Sequence, residues 1–176
     1  MAINKYVRDY RLVETVDERG RLRTVHEYVG AAYVYTDAAA FAAAKRTAGV
    51  LCALGWLCFL GAMLPDSMAM RRLYIALPFI FSALPLALLT ETVLSAPAPG
   101  GTLERRHADR LRNRYPASAA FTVILPAVCL IGEAVSVLPG AEPRWGDAVF
   151  SLCAAVLAAC GVILYKKRRG FDTRQA

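Results

Sequence analysis

The sequence predicts a membrane all-α protein: a four-helix transmembrane bundle with both termini cytoplasmic and a small N-terminal β-hairpin element. Three observations lead there. Hydrophobic residues make up 57% of the 176, above the roughly 45–50% of ordinary globular chains. Charges are segregated, nearly all falling in the first 46 residues, between 102 and 114, and after 165. Between these blocks lie four apolar stretches, at 47–64, 73–94, 117–138 and 148–165, which carry only Glu91 and Glu133 as ionisable acidic or basic residues. A helix rises about 1.5 Å per residue, so about 20 apolar residues cross the hydrocarbon core. Four such helices would leave a soluble chain of this length too little polar surface.

The first segment, 1–37, reads as a cytoplasmic hairpin element. Residues 10–16 and 21–29 are rich in β-branched and aromatic side chains with partial alternation. Between them Asp17, Glu18, Arg19 and Gly20 suit a hairpin loop, with Gly20 in the left-handed position. Gly30 breaks the run, and 31–35 can form a third short strand. A lone hairpin is marginal in water, so Tyr10, Tyr28, Tyr33 and Tyr35 are expected to supply a contact surface. Asp37 is placed to cap a helix starting at Ala38 that runs into the first span.

The bundle occupies 38–166. The first apolar run begins at Thr47, far from Met1, and no small-residue cleavage site follows a short core, so the first helix is expected to remain as an uncleaved anchor. Pro78, Pro85 and Pro126 fall within spans two and three and predict kinks. Tyr74 and Trp145 at the outer borders, and Tyr115 and Tyr165 at the inner ones, suit the aromatic belts of a bilayer.

Lysine and arginine fix the orientation. Residues 1–46 hold eight, the 95–116 loop five, and the tail (Lys166 onward) five, which must share one side and sum to 18. Arg71, Arg72 and Arg144 make up the other side. Basic loops stay in the cytoplasm, so an 18-to-3 split places both termini there, in the cell membrane.

The loop run "LERRHADRLRNRY" is therefore expected at the cytoplasmic surface. Thr102 can cap a short helix with Glu104 in its first turn, and Leu103, His107, Leu111 and Tyr115 then line one face. That is the pattern of an interfacial helix with a basic rim. Arg105, Arg106, Arg110, Arg112 and Arg114, with Lys166, Lys167, Arg168 and Arg169 of the basic tail (167–176), are the expected contacts to anionic headgroups, each contributing about 1 kcal/mol near the surface. A nucleic-acid role would require stacking aromatics or a recognisable module, and the run has neither.

Glu91 and Glu133 are candidates for an ion or proton site, or for a contact between subunits; near the helix ends each can also reach the interface cheaply. They occur in similar frames, "ETVLSAP" and "EAVSVLP", on helices that run in opposite directions, as an inverted repeat would place them. In the fourth span Ser151, Ala155 and Ala159 repeat at i+4 and form a candidate helix-packing face, within the bundle or against another copy. The five cysteines, all within spans and without a CxxC pair, read as reduced apolar residues. No catalytic signature or ligand-spaced histidine occurs, so neither an enzyme nor a bound cofactor or metal is expected.

The hairpin with "DERGR" at its turn, then "YVGAAYVY", then four spans resembles an uncharacterised group of small bacterial membrane proteins. The resemblance covers mainly residues 10–36 and the span layout, and implies an architecture without an activity. The expected role is a non-enzymatic membrane accessory or scaffold protein, acting by self-association or within a larger membrane complex. The alternative is a small oligomeric transporter or channel using Glu91 and Glu133.

Overall fold

A computed structural model describes residues 9–16, 22–100, 102–137 and 144–176. The turn expected at Asp17–Gly20 and the link between the last two long helices lie outside the described residues. The chain is mostly helical, with a hairpin of β1 (Tyr10–Val16) and β2 (Leu22–Tyr28) at its start. A short β3 follows at Ala32–Tyr35, then α1 over Ala38–Met63. Asp37 begins α1 as its composition predicts: its carboxylate accepts from the Ala39 and Ala40 backbone N–H groups at 2.9 and 3.0 Å.

At the far end of α1 a one-turn α2 (Met68–Arg71) leads into α3 (Leu73–Phe81) and α4 (Ala83–Ser95). Together α3 and α4 form the second long apolar helix, interrupted at Ser82. That interruption sets Pro85 in the first turn of α4, where a missing N–H costs no intrahelical bond. Pro126, by contrast, lies inside an unbroken α6. After β4 (Leu103–Glu104) come α5 (Arg105–Asp109), a π-helical turn (Arg110–Arg114) and α6 (Tyr115–Val137), stacked end to end. Last are α7 (Trp145–Lys166), a 3₁₀ turn (Lys167–Phe171) and β5 (Thr173–Gln175). Four helical stretches, Ala38–Met63, Leu73–Ser95, Arg105–Val135 and Trp145–Phe171, are long and apolar enough to cross a membrane.

The third strand forms, but its partners are not the hairpin. β3 lies at the centre of a second sheet, between β4 and β5 and antiparallel to both. Tyr33 is in register with Leu103 on one side and Gln175 on the other. One end of the bundle is thus tied by three segments distant in sequence, and the residues read as a basic tail are a turn and a strand.

Two aromatic clusters fill the interior. At the hairpin end Tyr35 stacks on Phe41 (centroids 3.7 Å apart), and Phe171 packs against Phe41 and Tyr115. At the far end Phe79 lies between Phe59 and Phe150, at 5.1 and 4.9 Å. There Gly146 starts α7 against the backbone of residues 66–67, so close that a Cβ would stand 2.4 Å from the Asp66 carbonyl oxygen. Asp147 fastens the same corner, accepting from the Ala69 and Arg144 N–H groups, each at 3.2 Å.

Three expectations are corrected. Helix α5 starts after Glu104, which forms no side-chain cap, because Leu103 and Glu104 are held in a strand; Thr102 is not the cap. The face of Leu103, Leu111 and Tyr115 turns into the protein's own core, so this segment is not an interfacial helix resting on its apolar side. Tyr115 is fully buried, its hydroxyl donating to the Leu164 carbonyl at 3.2 Å, and is no belt residue. Tyr74, Trp145 and Tyr165 are exposed, as belt residues would be.

Candidate functional site

Among the described residues the hairpin is fastened at its open end. Tyr10 and Tyr28 face each other across its open end, rings 5.4 Å apart and edge to face. The Tyr28 hydroxyl accepts from the Arg105 backbone N–H at 2.8 Å and donates to the Ala31 carbonyl at 2.8 Å. Arg105 is the first residue of α5, whose leading N–H groups have no helical acceptor, so a side chain of the hairpin caps the third long helix. Beside it the Tyr10 hydroxyl donates to the Glu104 carboxylate. That bond raises the pKa of the Tyr10 phenol, with burial and the charge of Glu104 adding to it. Beyond these tyrosines the strands project. Leu12 and Leu22, on one face by register, are 64% and 74% exposed, and Val25 and Val29 are exposed as well.

Next to this base lies Glu91. Its carboxylate takes one contact from Arg110 at 3.0 Å and another from Arg114 at 2.9 Å. The two arginines, four residues apart on one helical face, clamp a single acid on α4. Glu91 therefore has partners within its own chain, although its side chain stays 45% exposed.

Glu133 has different surroundings. It is buried, and the Ser151 hydroxyl of α7 donates to it. Arg114, at the Glu91 pair, and Glu133 lie on one helical stretch, about 28 Å apart by helix rise. The two glutamates do not meet.

Of the expected packing face on α7, Ser151 is half-buried on Glu133, whereas Ala155 and Ala159 are exposed. The stripe that packs inside the bundle is Phe150, Ala154, Leu157, Gly161 and Leu164. Gly161 approaches α6 so closely that a Cβ would lie 2.9 Å from Val123 Cγ2. Only contact with something outside this bundle could use Ala155 and Ala159.

The basic residues gather at the hairpin end, because β4–β3–β5 joins the three segments that carry them. Arg106, Arg112, Lys166, Lys167, Arg168 and Arg169 are exposed there, while Arg105, Arg110 and Arg114 are half-buried. Lys45 donates to the Ala96 carbonyl at the end of α4, opposite the helix dipole. All five cysteines are free thiols. Among the described residues no cluster of three metal-ligating side chains occurs.

Tyrosine as a cap for a distant helix, and a tail that returns as a strand, leave no mark in local sequence pattern; the tyrosine content of 10–35 is the one signal that pointed to the first. Comparison with protein-family models, with curated proteins and with solved structures finds no match to the chain.

Proposed function

We propose that the protein spans the cell membrane four times with both termini in the cytoplasm, and that it acts as an accessory or scaffold protein through its hairpin, by self-association or within a larger membrane complex. The charge count supports the orientation, and the second sheet supports the shared side of the basic segments. The basic segments counted as one side by charge are the ones that the second sheet ties to one end of the bundle.

One observation carries the role: a two-stranded hairpin fixed at its base by Tyr10 and Tyr28 yet projecting with Leu12 and Leu22 bare. Two strands alone are marginal in water, and apolar side chains on a projecting element gain free energy when covered. The transporter alternative draws no support from two glutamates held apart, Glu91 between Arg110 and Arg114 and Glu133 on Ser151.

The test is the mass of the detergent-solubilised full chain by light scattering, with cross-linking in native membranes. The expected result is a multimer, or a stoichiometric cross-linked complex, that is lost in Leu12→Asp/Leu22→Asp. A strictly monomeric wild type without cross-linked product would overturn the reading.

A further inference from the structure

A second arginine group at the hairpin end has no part in the Glu91 clamp. Arg112 lies between Arg110 and Arg114 in the π-helical turn, so when those two face Glu91 it leaves on the other flank. There it meets the end of α7. A hollow of about 350 Å³ is lined by Leu111, Arg112, Pro116, Arg168, Arg169 and Asp172. Three arginines, one on the π turn and two more than 50 residues further along on the 3₁₀ turn, thus line it beside one aspartate. Among the described residues no ion pair neutralises any of the three.

The walls of the hollow are fixed. Gly170 packs on α1 so tightly that a Cβ would stand 2.6 Å from Ala44 Cβ, and Phe171 is buried between Phe41 and Tyr115. The 3₁₀ turn is pinned from behind, while Arg168 and Arg169 on it are exposed and line the hollow. The Arg168 guanidinium also lies over the Tyr165 ring, 4.2 Å from its centroid, which limits its freedom. On the opposite wall Arg112 sits in the π turn, a feature frequent at functional sites.

We propose that this hollow binds a phosphate group. Like charges held together on a rigid wall repel one another unless an anion joins them, and guanidinium forks match phosphate oxygens two at a time. The phosphate can belong to a lipid headgroup or to a soluble phosphorylated compound; the recognition chemistry is the same. None of these residues lies in the hairpin, so the site stands or falls separately from the scaffold reading.

The test uses the detergent-solubilised full chain and three probes: inorganic phosphate, a short-chain phosphatidic acid, and a short-chain phosphatidylcholine as the zwitterionic control. Native mass spectrometry and calorimetry read the binding. Saturable one-site binding of phosphate, competing with phosphatidic acid, identifies a soluble ligand; binding of phosphatidic acid alone identifies a lipid. In either case Arg112→Gln/Arg168→Gln/Arg169→Gln loses at least about tenfold in affinity, as the removal of charge-assisted bonds requires. The control Arg11→Gln/Arg46→Gln/Arg174→Gln, with the same net charge, stays within about twofold, since only non-specific attraction changes. The triple lysine variant, which keeps charge, loses about fivefold because an ammonium cannot chelate two oxygens. The site is overturned by any of four results: no saturable binding of either anion, equal binding of phosphatidylcholine, equal losses in the glutamine and control variants, or wild-type affinity in the lysine variant.

Discussion

The hydroxyl of Tyr28 stands 2.8 Å from the backbone nitrogen of Arg105, so a strand of the N-terminal hairpin caps the third long helix of the bundle. Through this bond the position of the hairpin and the start of α5 become one structural variable. The hairpin is thereby held in a set position on the bundle, as the proposed scaffold role requires.

Tyr28→Phe tests that coupling. It removes two part-buried hydrogen bonds, to the Arg105 N–H and the Ala31 carbonyl, each worth about 1 kcal/mol, and keeps the ring against Tyr10. Amide exchange at β1, β2 and the Arg105 N–H is expected to quicken about fivefold to thirtyfold, the factor that about 1–2 kcal/mol represents. Unchanged exchange at Arg105 would show that the cap carries no energy.

Alkaline pH should loosen the same end. Burial pushes the Tyr35 phenol up to about 12, with its hydroxyl donating to the Pro97 carbonyl at 2.9 Å. A pKa raised on folding gives stability that is fully present below pH 10, the ordinary value, and lost as pH rises toward 12. Absorbance titration of the phenols is expected to show one late-ionising tyrosine fewer in Tyr35→Phe than in the wild type, with β3 exchange in the wild type accelerating over the interval in which that phenol ionises.

Gly146 and Gly49 should respond oppositely to alanine. A Cβ at 146 would stand 2.4 Å from the Asp66 carbonyl, and backbone on both sides leaves little room to give. A cost of about 1–3 kcal/mol is expected from overpacking. Gly49, in α1, has nothing within 4 Å of a Cβ, so Gly49→Ala should be neutral or gain up to about 1 kcal/mol of helix propensity. Unfolding in detergent reads both, and a neutral Gly146→Ala would contradict the described corner.

The two glutamates differ in what they stabilise. Glu91 is 45% exposed, so its two ion pairs are screened, and Glu91→Gln should cost no more than about 1 kcal/mol. Ser151→Ala removes a donor from a buried carboxyl group and should cost about 1–3 kcal/mol. Thermal unfolding of the two variants should therefore rank Ser151→Ala as the more damaging.

Local features were legible in the sequence, and long-range ones were not. Asp37 announced the start of α1 because a cap and the helix it begins are neighbours in the chain. The strands of the hairpin showed through β-branched alternation, and the four long helices through length and the absence of charge. The partners of β3 did not show, since Leu103–Glu104 and Thr173–Gln175 are too short to carry a period. On α7 small residues occupy both the buried stripe through Ala154 and Gly161 and the exposed one through Ala155 and Ala159. Where every face is apolar, periodicity cannot say which turns inward. Tyr115 shows the same ambiguity: an aromatic at a helix border suits a belt or a core equally well, and the return of Phe171 decided it.

The central claim is that the N-terminal segment, the arginine loop and the tail lie together on the cytoplasmic face of a four-pass bundle. Labelling with a membrane-impermeant maleimide tests it most directly, with single cysteines at Glu27, Arg106, Arg174 and Trp145 placed in a background whose own cysteines are replaced by alanine or serine. In sealed cells only the cysteine at 145 should react, and in inverted vesicles only the other three. Reaction at 27, 106 or 174 in sealed cells would contradict the account.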